Sequence, residues 1–463
     1  MGGRTSRRQG ERRSWRPDIS GATGPLYLAI ADALGADIAA GTLRPGDPLP
    51  THRALAPLLG VDLTTVTRAY GEARRRGLID AATGRGTFVK AAGRPAAPAL
   101  GIDLSMNMPP RPDWLAERLA ATMAALLRDG GAGLLAYQPS GGLLPDREAG
   151  ARWLAPLLPD LTAERVLVTG GAQAGLMALL TLLARPGDVV LAEALCYPGL
   201  RAAAAQLGLR LEGVAMDSDG VRPDALDEAC RRWSPRAFYC VPTLHNPTGL
   251  TWSPARRAEI AAVARARALT IIEDDAYGLL PAGTPAPLAA LAPDLTWYLA
   301  TLAKTLTPAL RVAYLVAPDA ERRGRAEAAL RAVTQMAPPL SVAAATRWIG
   351  DGTAADLLRS VREESRARQA LARSILPLGG DAGEGHHVWL GLPDGRNAAD
   401  FAARLRRSNL AVVPDDAFAV APPSIPALRL SLGAATDRAQ LSAGLRLLAD
   451  ALAQAPDPLL HIV

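Results

Sequence analysis

The sequence predicts a multidomain chain. A small, mainly α N-terminal domain with a β-hairpin precedes a large α/β domain that ends in a small α+β subdomain. Three observations predict it. The 463 residues are several times the ~150 of a typical domain. The first ninety show helical periodicities that close on a hairpin pattern. Beyond residue 103, short apolar runs alternate with helix-length segments through to the C-terminal region.

Composition sets the outer bounds. Apolar residues make up 49% of the chain, ample for large cores, which excludes a disordered or collagen-like protein. The longest clean apolar stretch, 175–184, is about half the ~18 residues that a membrane span needs. Arginine pairs at 7–8 and 12–13 are followed by no apolar segment, so no export signal is read from them. The three cysteines, Cys196, Cys230 and Cys240, form no even, closely spaced framework. That points to a reducing, cytoplasmic setting and supplies no metal motif.

Charge is distributed unevenly. Residues 1–95 hold 15 Arg and Lys against 8 Asp and Glu, and the remainder 36 against 37. A basic N-terminal module on a near-neutral body implies a polyanion partner, most simply nucleic acid. Residues 1–20 read as a flexible basic tail. Only two of the 51 basic residues are lysines, Lys90 and Lys304. Arginine cannot form a Schiff base and a lysine amine can, so the surviving lysines are candidates for chemistry.

In the first domain, 21–90, Leu26, Ile30, Ala33, Leu34 and Ile38 place a helix over 25–40. Thr51 can cap a short helix over 53–59, which Gly60 ends, although Pro57 lies within it. Asp62 can cap the next helix, 64–76, which Gly77 stops. Residues 78–89 read as two short strands about Gly84-Arg85-Gly86. Helix, helix, tight turn, helix, hairpin is a winged helix-turn-helix. Its second helix enters the major groove with its N-terminal residues toward the bases. Here that face carries Thr64, Thr65 and Thr67, with Arg68 behind them, while Arg53, Arg74, Arg75, Arg76 and Arg85 would serve the backbone. The runs 49–56, 60–70 and 84–89 together resemble the GntR-type DNA-binding domain, which implies a double-stranded DNA operator as partner. Asp62 stands where that family often has serine.

Residues 91–102 form an Ala/Pro/Gly linker. In the second domain, 103–463, strand-like runs at 166–169, 189–191, 237–241, 270–273, 297–299 and 312–316 indicate a largely parallel sheet. From about residue 340 the pattern turns helical and then α+β. Loops after such strands bind ligands. They carry Gly170-Gly171-Ala172-Gln173, Tyr197-Pro198-Gly199, Asn246-Pro247-Thr248-Gly249, Glu273-Asp274-Asp275-Ala276-Tyr277 and Thr301-Leu302-Ala303-Lys304, with Arg311 beyond. Each alone has an ordinary reading as a turn, a cap or a surface charge. Together, in order and spacing, they resemble the pyridoxal-phosphate enzymes of the class I aminotransferase fold (fold type I).

That resemblance implies pyridoxal 5'-phosphate as cofactor. It assigns Lys304 the internal aldimine, Asp274 the pyridine nitrogen, Asn246 and Tyr277 the ring hydroxyl oxygen, and Tyr197 the stack on the ring. Ala172 and Gln173 backbone groups, Thr301 and Arg311 form the phosphate cup, and Tyr137 reaches the partner subunit's phosphate. Arg429 clamps an effector carboxylate. Ala303 replaces a serine usual in the family, and losing one donor to a charged group costs ~1.5–3 kcal/mol of cofactor affinity. Joined, the two domains resemble the MocR-type transcriptional regulators. This implies a homodimer whose second domain senses an amino acid, an amine or the cofactor itself. The alternative is an active aminotransferase with a DNA-binding appendage. The chemistry of such a domain can also run partway without physiological turnover.

Overall fold

The computed structural model describes residues 15–19, 24–44, 46–82, 86–89, 101–379, 383–392, 396–420 and 425–454. Arg85, Lys90 and most of the linker lie outside them. The chain divides into two units, Met1–Leu100 and Gly101–Val463.

The first unit has helices Leu26–Ala39, His52–Leu59 and Leu63–Arg75 and an antiparallel sheet. The sheet order is Pro48–Leu49, Gly86–Val89, Ile79–Ala82. Local chemistry sets the breaks. Thr51 accepts from the Ala54 N–H and opens the second helix. Gly60, at φ 65°, closes it in the left-handed region that glycine adopts without strain. Asp62 accepts from the Thr64 N–H and opens the third. Pro57 stays inside the second helix. Ile30, Leu34, Leu55, Val66, Tyr70 and Ile79 fill the core, and the Tyr70 hydroxyl donates to the Pro50 carbonyl at 2.9 Å.

One expectation is corrected here. Trp15, assigned by composition to a flexible tail, is 8% exposed within this core. Its Nε1 donates to Asp37 at 2.8 Å, and Ile19 packs beside it. A single tryptophan in an arginine-rich run hardly changes the mean polarity, yet it buries a large apolar area.

The second unit is built on a seven-stranded sheet. Its order is Val166–Thr169, Ala313–Val316, Thr296–Thr301, Ile271–Asp274, Ala237–Cys240, Val189–Glu193, Arg210–Val214. Ala313–Val316 is antiparallel to both neighbours, and the other pairings are parallel. The carboxyl ends of the parallel strands therefore share one edge with the start of the reversed strand. The small subdomain has an antiparallel sheet, His387–Gly391, Ala427–Ser431, Val413–Pro414. It also takes in the chain's first residues beyond the linker. Ile102–Asp103 pairs in parallel with Leu410–Ala411, and Leu104 is buried among Leu410, Leu430 and Leu445. A subdomain starting near 340 thus omits the strand at 102–103. No helix among the described residues is long and apolar enough to cross a membrane.

Trp15→Ala should destabilise the first unit by roughly 3 kcal/mol, a cost typical of truncating a buried aromatic. Urea unfolding of the full chain, followed by a probe in the first unit, checks this. A silent substitution would restore the tail reading.

Candidate functional site

The first unit presents its third helix as a candidate DNA interface. Arg53, Thr64, Thr67 and Arg68 are exposed and Thr65 is half-buried. The three threonines are not equivalent. The Thr64 hydroxyl donates to Asp62 at 3.2 Å. The Thr67 hydroxyl donates to the Leu63 carbonyl at 2.9 Å and lies 3.3 Å from His52 Nδ1. Thr65 makes no side-chain hydrogen bond among the described residues. Two arginines assigned to phosphates are engaged internally. Arg75 and Arg76 hold Glu72 at 2.6 and 2.7 Å, and Arg76 also pairs with Asp32. These bonds, Arg75 first, pull the Glu72 carboxyl down to about 2.

In the second unit the shared strand edge encloses a cavity of about 240 Å³. Ten of the predicted residues line it: Ala172, Gln173, Tyr197, Asn246, Asp274, Tyr277, Thr301, Lys304, Arg311 and Arg429. Tyr137 does not; it is 82% exposed. Topology explains the convergence. Asp274 ends one strand, Thr301 ends the next, and Lys304 lies in the short helix Leu302–Thr305 directly after it. Arg311 precedes the reversed strand, so it meets the same edge from the opposite chain direction. Arg429 arrives from the small subdomain, on Ala427–Ser431.

At one end Ala172 and Gln173 begin the helix Ala172–Leu183, where the first N–H groups have no intrahelical acceptors. Gly171, at φ 92°, brings the backbone close to Arg311; a Cβ there would lie 3.3 Å from Arg311 Cζ. The Thr301 oxygen accepts from the Ala303 N–H at 3.1 Å, which leaves its proton free to donate. This end has donors that could hold an anion. Ala303 lines the cavity and supplies no side-chain donor.

In the middle stand Asp274 and Lys304. One Asp274 oxygen accepts from the Tyr239 hydroxyl at 2.7 Å, and the other is buried without a hydrogen-bond partner. Burial pushes this carboxyl up to about 6. Lys304 Nζ donates to the Asn107 carbonyl. Burial, then the Arg429 charge, lowers its amine to about 8, while Asp274 acts in the opposite direction. Tyr277 is buried, accepts from Asn107 Nδ2 at 2.7 Å, and is shifted upward by burial.

At the far end Arg429 donates to Asn246 Oδ1 at 3.2 Å and to the Ser105 carbonyl, with its Cζ 5.2 Å from the Phe418 ring centre. No acidic side chain among the described residues pairs with it. Sequence reasoning missed Tyr239 and the segment Ser105, Met106, Asn107, which also line the cavity. Tyr239 carried one signal: a hydroxyl in a buried strand needs a partner. The 105–107 segment carried none.

A winged helix joined to an α/β domain with this cavity defines a DNA-binding regulator built on an aminotransferase fold. Residues 101–448 match the family of class I and II aminotransferases, and 26–89 the bacterial regulatory proteins of the gntR family. The chain belongs to the MocR-type HTH transcriptional regulators, in which these two domains are fused. It is 28% identical over 449 residues to the HTH-type transcriptional regulator YdeF of Bacillus subtilis, across 94% of this chain and 96% of that one. It is 31% identical over 419 residues to the vitamin B6 salvage pathway transcriptional repressor PtsJ of Salmonella typhimurium, across 88% and 94%. Among solved structures, LysN, the α-aminoadipate aminotransferase of Thermus thermophilus complexed with N-(5'-phosphopyridoxyl)-L-leucine, aligns with a TM-score of 0.70 and 28% identity, over 83% of this chain and 98% of that one. This fold typically binds pyridoxal phosphate.

With two lysines in the chain, the cofactor-free protein allows a direct reading of Lys304. Its amine, tagged by ¹³C reductive methylation and followed by NMR, should titrate near 8. Arg429→Met should move that midpoint upward, because a like charge is removed, and Asp274→Asn downward. Movement in the reverse directions would rule out the electrostatic account.

Proposed function

We propose that this regulator holds pyridoxal phosphate in the 240 Å³ cavity and senses an amino acid, an amine or the cofactor itself there. The observation that carries the reading is the buried Asp274 oxygen without a partner, in one cavity with Lys304, an anion cup and Arg429. A protonated ring nitrogen supplies the donor that this oxygen lacks. The cup at Ala172, Gln173, Thr301 and Arg311 suits a phosphate, and Tyr197, Asn246 and Tyr277 would hold the ring and its hydroxyl. When bound, the cofactor supplies an electron-withdrawing ring that captures amines.

The chain's own groups divide the remaining work. Lys304, lowered to about 8, has an accessible neutral amine near physiological pH. Arg429 presents a planar fork to a carboxylate and is buried with no acidic partner among the described residues, so an anion there is stabilised. The first unit would bind its operator through Arg53, Arg68 and Arg85, with Thr65 nearest the bases, and ligand occupancy would bias that binding. The 82% exposed Tyr137 and 73% exposed Leu135 support a homodimer in which Tyr137 reaches the partner subunit's phosphate cup. A second reading, an active aminotransferase, is favoured by the completeness of the lysine, aspartate and tyrosine set.

Purified protein should carry the cofactor on Lys304, recoverable by borohydride reduction and peptide mapping, and Lys304→Arg should lose it. Arg429→Ala should keep the cofactor's visible spectrum but lose the spectral change on adding amino acids. The affinity loss should be at least ~1.5–3 kcal/mol, the worth of a charged contact. A variant that responds normally places the carboxylate elsewhere. One that cannot load cofactor makes Arg429 a structural residue.

Operator binding, measured by electrophoretic shift on the upstream region of its own gene, should weaken steeply with salt. Arg53→Ala should reduce the salt slope by about 1 and weaken all sequences alike. Thr65→Ala should change base preference more than Thr64→Ala or Thr67→Ala, whose hydroxyls are already committed. Equal effects from the three threonines would remove Thr65 from the reading face.

A further inference from the structure

Asn107 lies outside every motif of the sequence, is 7% exposed, and touches two of the groups expected to act on the cofactor. Its backbone carbonyl accepts from Lys304 Nζ. Its side-chain Nδ2 lies 2.7 Å from the Tyr277 hydroxyl and 3.2 Å from His387 Nδ1. The direction of these bonds follows from the third partner. His387 Nε2 lies 3.1 Å from the His245 carbonyl, which can only accept, so Nε2 carries the ring proton. Nδ1 is then an acceptor, and burial keeps the ring neutral by lowering it to about 3. The Asn107 group facing it is therefore the NH₂ end of the amide. The same NH₂ donates to Tyr277, so the phenol oxygen accepts there and its own proton must be donated elsewhere.

We propose that Asn107, oriented by His387, is a positioning residue that commits the Tyr277 hydroxyl proton to the cavity, toward the oxygen of the cofactor's ring hydroxyl. The proposal rests on the pyridoxal-phosphate reading of the cavity. A reversed amide would face its oxygen toward the His387 lone pair and would compete for the Tyr277 proton. The relay from the His245 carbonyl through His387 and Asn107 to Tyr277 excludes that alternative. The charged and titratable groups around Tyr277 are Asp274, Lys304, Arg429, Tyr197, His386 and His387. None of them is linked to its hydroxyl by a hydrogen bond among the described residues; Asn107 is.

The test uses the full-length protein loaded with pyridoxal phosphate and reads the pH midpoint of its visible colour change. A hydrogen bond donated to the ring oxygen favours its ionised form and holds that midpoint down. Asn107→Leu and Asn107→Ala should each raise it by about one to two pH units, the worth of one hydrogen bond to a charged group. His387→Leu keeps the Asn107 amide but removes its anchor, and should raise it by less. Tyr277→Phe should raise it as well, and Asn107→Leu or Asn107→Ala added to Tyr277→Phe should produce no further shift. An unmoved midpoint in the Asn107 variants overturns the proposal. So does an equal shift with and without the Tyr277 hydroxyl, because Asn107 would then act without Tyr277. A wild-type chain that takes up no cofactor, and so shows no visible band, overturns the cofactor reading beneath it. A loaded wild type with unmoved variants overturns the role of Asn107 alone.

Discussion

A carboxylate buried at the end of a strand needs donors for both oxygens or a cation beside it, and the second unit is arranged around one that has neither in full. Glu273, Asp274 and Asp275 are consecutive and buried. Side chains alternate across a strand, so the middle acid faces away from its neighbours. Glu273 accepts from the Leu288 and Ala289 N–H groups, with Arg257 3.9 Å away. Asp275 accepts from the Tyr298 hydroxyl at 2.8 Å on one oxygen, and its other oxygen also lacks a hydrogen-bond partner. Asp274 receives Tyr239 on one oxygen and nothing on the other. Glu273 is consumed in holding the fold, and Asp275 does not line the cavity. The middle one is kept available, at the edge where parallel strands end and ligands gather.

The charges around Asp274 specify what can enter. Lys304, Arg311 and Arg429 line the cavity against one carboxylate. Such a surplus in a confined space favours anions. The two arginines stand at different ends, one beside the helix Ala172–Leu183 and one in contact with Asn246 and the Ser105 carbonyl. A ligand pair with a phosphate at one end and a carboxylate at the other matches that layout. The neighbouring histidines do not add to the charge. Burial lowers His386 to about 4 and His387 to about 3, so both stay neutral and serve as hydrogen-bonding parts.

Much of this was legible in the sequence, for identifiable reasons. Caps and breaks such as Thr51, Gly60 and Asp62 act locally, so residue type alone placed three helices of the first unit to within a residue or two. The strand runs at 189–191 and 237–241 are continuous apolar segments, as buried parallel strands require. Direction is not encoded in such runs, and so the reversal of Ala313–Val316 was invisible. Arg210–Val214 was passed over because this edge strand carries Arg210 and Glu212, joined at 2.6 Å. Site residues within strand-end motifs were found, whereas Asn107 and Tyr239 act through partners distant in sequence. Asn107 meets Tyr277 across 170 positions, a relation that no local pattern contains.

The scarcity of lysine has its physical explanation in the same cavity. Where a plain positive charge suffices, Arg and Lys both serve, and this chain uses Arg at all but two of its 51 basic positions. Arg429 shows what Arg does well: buried beside Asn246 and the Ser105 carbonyl, it presents a fixed planar fork. An arginine cannot provide a neutral amine. At Lys304 burial and Arg429 press the proton off, and Asp274 holds it on, leaving the amine at about 8. Removing Asp274 would deepen the shift, and removing Arg429 would relax it. The lysine is thus set between its neighbours, close enough to neutrality to be nucleophilic and still able to regain its proton. An arginine at 304 would satisfy the charge balance of the cavity and forfeit that reversibility, so the distinction the sequence draws at this position is one of proton exchange rather than of charge.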